Sequence, residues 1–198
     1  MKIKWICVAL LLGMVMCLGA CQPSTNTPPE GTSPEICETL NALLRAEKNA
    51  VTVKITTVTS GMTLTAEYTA TKSVITYSVE RLNKLEGDEL PEEYKTTLSG
   101  TATVENGRIT RLDGDAVDLP AYDYLTGVFS IQKENLTEVV EEKGCLKAKV
   151  ISPEAFFGTK VEAEEMTVSI AYTDTAITCM TVTYSTSTST VTTVYTFS

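Results

Sequence analysis

Apolar and polar residues alternate at Val51, Val53 and Ile55, at Met62, Leu64, Ala66 and Tyr68, and at Ile75, Tyr77 and Val79, with threonines filling much of the opposite register. Period two with β-branched side chains predicts half-buried antiparallel strands. Breaks at Ser60-Gly61 and Thr71-Lys72 are short enough for hairpin turns. After an acidic stretch, Glu86 to Glu93, the segments Leu98–Glu105 and Arg108–Leu112 flank Asn106-Gly107, a strong hairpin signal. Val139-Val140 and Cys145–Ile151 predict a further hairpin around Glu142-Lys143-Gly144. Three strands near Met166–Tyr172, Ile177–Tyr184 and Val191–Phe197 close the chain, joined at Thr173-Asp174-Thr175 and by the Ser/Thr run 185–190.

Three segments follow helical spacing instead. Ser33-Pro34-Glu35 supplies a capping hydroxyl, a proline at the first helical position and an acid at the positive end of the dipole, and Ile36, Leu40, Leu43 and Leu44 then share one face. A helix over 34–48 is expected to pack on the sheet. Tyr122, Leu125, Val128 and Phe129 predict a short helix with a break at Gly127. Ser152-Pro153-Glu154-Ala155-Phe156-Phe157-Gly158 reads as one capped helical turn stopped by glycine. The fold class expected is α+β, mostly antiparallel β: a curved open sheet, or half-barrel, with an N-terminal helix and short lid helices.

The first twenty residues have a different pattern. Lys2 and Lys4 precede an uncharged run from Trp5 to Leu18, which would extend only about 21 Å as a helix against a hydrocarbon core of roughly 30 Å. That is the anatomy of a signal peptide. Leu18-Gly19-Ala20-Cys21 resembles the bacterial lipobox, which implies diacylglycerol on the Cys21 sulfur and cleavage before it. Two acyl chains make a far more durable anchor than one. The bland alternative is an ordinary signal peptidase site with Cys21 as a plain thiol. Residues 21–33, rich in Pro, Ser and Thr, cannot bury enough apolar surface to fold and are expected to be a tether. Residues 34–198 are of a length for a single domain.

Removing residues 1–20 takes two lysines and no acid, leaving 14 basic against 25 acidic side chains, a net charge of −11. Such a surface repels phosphate backbones and anionic headgroups, so nucleic acid is not an expected partner and the lipid alone should hold the chain to the extracytoplasmic face of the cell membrane. Beyond Cys21 remain Cys37, Cys145 and Cys179. Three buried thiols behaving as small hydrophobes is one reading; a Cys37–Cys145 or Cys145–Cys179 bond is the other.

The chain contains no histidine, which excludes Ser-His-Asp and Cys-His catalysis and removes the commonest metal ligand. Ser130-Ile131-Gln132-Lys133 matches S-x-x-K, but S-D-N and K-T-G are absent. Asp113-Gly114-Asp115 with Asp118 lacks the full calcium-loop spacing and fits turn chemistry. Paired carboxylates for glycoside hydrolysis are abundant by composition, but Thr-lined strands and a mature chain without Trp make a poor sugar cleft. Asn135-Leu136-Thr137 is a formal glycosylation sequon. No enzyme, metal or cofactor is expected.

The order of lipobox, tether, amphipathic helix, strand meander, helical insertion near 120–131, helical turn at 153–157 and closing meander resembles the lipoprotein-carrier superfamily, LolA-like and including the lipid-binding mycobacterial lipoproteins. The resemblance implies an unclosed half-barrel whose helices lid an apolar cavity for acyl chains. The ligand would then lie against Ile55, Leu64, Tyr68, Ile75 and Tyr77 on the strands and Tyr122, Leu125, Phe129, Phe156 and Phe157 on the lid. The bland alternative for each is a place in the core. An anchored protein does not shuttle as soluble carriers do, so it would serve as a local acceptor, sensor or handover point. The rival class is a non-catalytic structural or protein-interaction module of the cell envelope with a filled interior.

Overall fold

The computed structural model describes residues 34–83 and 95–198. The predicted signal peptide, Cys21, the tether and the acidic loop fall outside them. The described chain is mostly antiparallel β: ten strands form one open sheet, not closed into a barrel.

In chain order these are α1 (Pro34–Arg45), β1 (Val51–Thr59), β2 (Met62–Ala70), β3 (Val74–Asn83), β4 (Lys95–Glu105), β5 (Arg108–Gly114), α2 (Tyr122–Thr126), a 3-10 turn (Lys133–Asn135), β6 (Leu136–Glu142), β7 (Cys145–Val150), α3 (Pro153–Phe157), β8 (Glu165–Tyr172), β9 (Ile177–Ser185) and β10 (Ser189–Phe197). The strand order is β5-β4-β3-β2-β1-β10-β9-β8-β7-β6, so two meanders meet where β1 pairs with β10. The described N-terminal strand and the last strand thereby sit side by side at mid-sheet. Asn49 N donates to Ser198 O, and Ser198 N donates to Ala50 O, closing that seam.

One register line crosses nine strands: Leu146, Ile170, Met180, Tyr195, Val53, Tyr68, Tyr77, Gly100 and Gly114. From Leu146 to Tyr77 its side chains are all buried, and they mark the inner face. The outer face carries threonines, with Thr183 against Thr192 and Thr52 against Thr69 as neighbouring hydroxyl pairs. β-branched side chains suit both faces of a pleated sheet, which explains how a chain so rich in Thr still forms long strands.

The helices cover the inner face. α1 buries Cys37, Leu40 and Leu44 and stops at Arg45, three residues before the expected end at 48. The reason is Lys48, which turns back so that its ammonium donates to the carbonyls of Leu43, Leu44 and Ala46 and lies over the Phe197 ring. A cation on the last carbonyls satisfies groups that a further helical turn would have bonded. α2 stops at Gly127, whose φ of 69° is left-handed. The expected helical face through Val128 and Phe129 does not form: Val128 is exposed, and Phe129 reaches the core from the extended segment beyond. β6 starts at Leu136, earlier than its apolar pair suggests, because a bulge between Thr137 and Val140, with Glu138 at φ 50°, interrupts the alternation.

The cysteines correct the sequence reading. Cys37 and Cys179 are buried and outside any disulfide, so neither the Cys37–Cys145 nor the Cys145–Cys179 bond forms. Cys145 is disulfide-bonded, so the picture of three thiols fails there too.

Candidate functional site

Two asparagines fix the roof of the inner face. Asn41 on α1 donates from Nδ2 to Ile131 O at 2.7 Å and accepts from Ile131 N at 2.9 Å. Asn135 treats Ser152 the same way, donating to its carbonyl at 2.9 Å and accepting from its N–H at 2.5 Å. Each amide acts as a short piece of strand, satisfying a donor and an acceptor that the irregular segments leave open. Ser130 N adds a bond to Phe156 O at 3.1 Å, so α1, the 128–135 segment and α3 are tied together. Asn135 is buried and fully engaged, which removes it as a sugar acceptor in the folded domain.

Under this frame the rings meet. Phe129 stacks on Phe156 at 5.2 Å and meets Phe157 and Tyr195 edge-on at 5.1 and 5.4 Å. Tyr124 stacks on Phe157 at 5.6 Å and meets Phe129 and Tyr195 edge-on. Such pairs contribute roughly 0.5–1.5 kcal/mol each beyond burial.

Of the ten residues expected against a ligand, Tyr68, Ile75, Tyr77, Leu125, Phe129 and Phe156 are buried in the core cluster. Ile55, Tyr122 and Phe157 are half-buried against it, and Leu64, also half-buried, lies outside it. The structure brings Phe129, Phe156 and Phe157 into contact. Tyr77 stands apart over Gly100, donating to Asp115 O at 2.5 Å, and Tyr122 donates to Thr71 O at 3.0 Å.

Beside the roof runs a second register line, Val182, Thr193, Ile55, Ala66, Val79 and Leu98. Ile55, Val79 and Leu98 on it are half-buried, as is Leu64 on the next line. From Leu98 to Ile55 it spans four strands, roughly 14 Å at the usual strand spacing.

Its inner end is polar, which the strand pattern did not assign to a site. Thr193 is fully buried and its Oγ1 lies 3.0 Å from the Tyr124 hydroxyl. The Tyr195 hydroxyl beside them is buried without a hydrogen-bond partner. Tyr124 is close enough to act on it but makes no well-formed bond to it. Burial, with Tyr124 adding to it, pushes the Tyr195 phenol far above its ordinary range, and Tyr184 and Tyr68 are raised in the same way. An inward-facing threonine between Val191, Tyr195 and Phe197 was the available sequence signal.

The remaining motifs are accounted for locally. Ser130 Oγ accepts from Gln132 Nε2 and Lys133 is exposed. Asp113 pairs with Arg111, and Asp115 accepts the Ser99 N–H. Compared with known proteins, the chain matches no family model and none of the curated proteins.

Proposed function

We propose that this chain is a membrane-anchored extracytoplasmic lipoprotein that binds a lipid or acyl chain on the inner face of its sheet. The observation that carries the binding claim is the half-buried apolar strip Ile55, Val79 and Leu98 with Leu64, beside a roof held by Asn41 and Asn135. A chain released from water along it gains about 25 cal/mol per Å². Anchoring rests on the Leu18-Gly19-Ala20-Cys21 sequence. Among the described residues no helix is long and apolar enough to cross a membrane.

In this reading the ligand lies outside the packed roof. Leu125, Phe129 and Phe156 leave their surfaces to one another, so the acyl chain runs beside the aromatic cluster and not beneath it. That same packing favours a second reading, a non-catalytic envelope module whose interior is core and whose partner is a protein.

The test is titration of the purified chain with a fluorescent acyl probe. Binding in the micromolar range, insensitive to salt and weakened by Leu64→Gln without loss of thermal stability, supports the lipid reading. A chain that takes up no probe at any salt leaves the envelope-module reading.

A further inference from the structure

The apolar strip ends on hydroxyls, and one of them is unsatisfied. Ile55 pairs across the sheet with Thr193, whose Oγ1 meets the Tyr124 hydroxyl at 3.0 Å, and Tyr195 stands one inward position along β10 with its hydroxyl buried and unpartnered. A buried hydroxyl left without a partner has lost its hydrogen bonds to water and regained none, which is destabilising. Tyrosine keeps that cost only where the hydroxyl is used; phenylalanine would fill the same space without it.

The charge around the cluster narrows what would use it. The groups acting on Tyr195 and Tyr184 are burial and other tyrosines, with no lysine, arginine or carboxylate among them. Lys54 neighbours Val53 and Ile55 but projects to the opposite face, and the Lys48 ammonium is spent on the end of α1. A carboxylate or phosphate carried to this place would be desolvated with no cation to meet it. A neutral oxygen carries no such penalty and accepts what the phenol has to donate.

We propose that Tyr195, with Tyr124 and Thr193, forms the polar end of the ligand site and donates a hydrogen bond to a neutral lipid oxygen, an ester carbonyl or an alcohol, while the acyl chain runs along Ile55 toward Leu98. This rests on the lipid-binding reading and specifies its ligand class. Entry is from the side of Phe157 and Tyr184, both half-buried, with ring centroids 6.3 Å apart.

The experiment uses the purified full chain with three probes of equal chain length: methyl dodecanoate carbon-13-labelled at the carbonyl, dodecanoate and dodecane. Affinity is read by competition against a fluorescent acyl probe, and the labelled carbonyl is read by its infrared stretch. The ester binds best to the wild type, with its band shifted to lower frequency by the hydrogen bond. Tyr195→Phe lowers ester affinity about three- to tenfold, the range of one neutral hydrogen bond, and returns the band to its unbonded position. Dodecane binding does not change. Tyr124→Phe is the second variant and weakens the ester in the same direction. Equal binding of all three probes, a bound ester with an unshifted band, or a Tyr195→Phe variant that keeps the wild-type preference overturns the assignment and leaves lipid binding standing. Preference for dodecanoate overturns it as well. Failure of every probe to bind overturns both.

Discussion

Tyr77 lies over Gly100. A Cβ at Gly100 would stand 2.3 Å from the Tyr77 hydroxyl and 2.5 Å from the carbonyl oxygen of Asp113. The ring covers the space that the glycine vacates, and its hydroxyl reaches across to donate to Asp115 O. Gly100→Ala should therefore displace Tyr77 and strain the β4–β5 pairing, destabilising the domain by about 1–3 kcal/mol. Chemical denaturation of the two proteins measures it; equal midpoints would show that the ring has room to move.

The α1 contact makes a second prediction. Leu40 is fully buried between the helix and the sheet, so Leu40→Ala should cost about 2–5 kcal/mol. Asn41→Ala should also destabilise, by leaving both the N–H and the carbonyl of Ile131 without their partner. Denaturant melts of both variants check this, with a single transition expected for the whole domain.

The tyrosines give the domain an alkaline limit. Tyr195 and Tyr184 are raised by burial, and Tyr172 is pushed up to about 12 by burial and by its hydrogen bond to Glu141. A phenol whose folded pKa exceeds its unfolded value stabilises the fold fully below about pH 10 and progressively less above it. Thermal stability should fall as pH rises past about 10, and phenolate absorbance should lag behind that of the unfolded chain. Stability flat through that range would contradict the burial of these hydroxyls.

The cysteines differ in redox state. Cys37 is a buried free thiol, whereas Cys145 is disulfide-bonded. Cys37 should therefore alkylate in denaturant without reductant, and Cys145 only after reduction. Alkylation of Cys145 in the unreduced, denatured chain would contradict the bond.

The strands were legible because one buried face leaves a period-two trace in each of them, as Val51, Val53 and Ile55 show. Capped starts and glycine stops betrayed α3 for the same local reason: Ser152 Oγ accepts the Ala155 N–H, and Gly158 is left-handed. The asparagine clamps were not legible. Asn41 meets Ile131 across 90 positions, and a single side chain bonding a distant backbone produces no periodicity. The end of α1 was missed because Lys48 continues a plausible helix in composition while its ammonium terminates one. All ten expected ligand residues were in apolar patterns, but pattern alone does not separate the buried Phe156 from the half-buried Leu64, since burial depends on which elements pack above them.

Anchoring and lipid carriage, as proposed, are read together in a native mass spectrum of the chain purified from membranes. The expected species begins at Cys21 with a covalent diacylglyceryl adduct and carries a second, noncovalent lipid mass lost on collisional activation. A chain that retains residues 1–20 and shows no lipid adduct at any activation energy would overturn the proposed function.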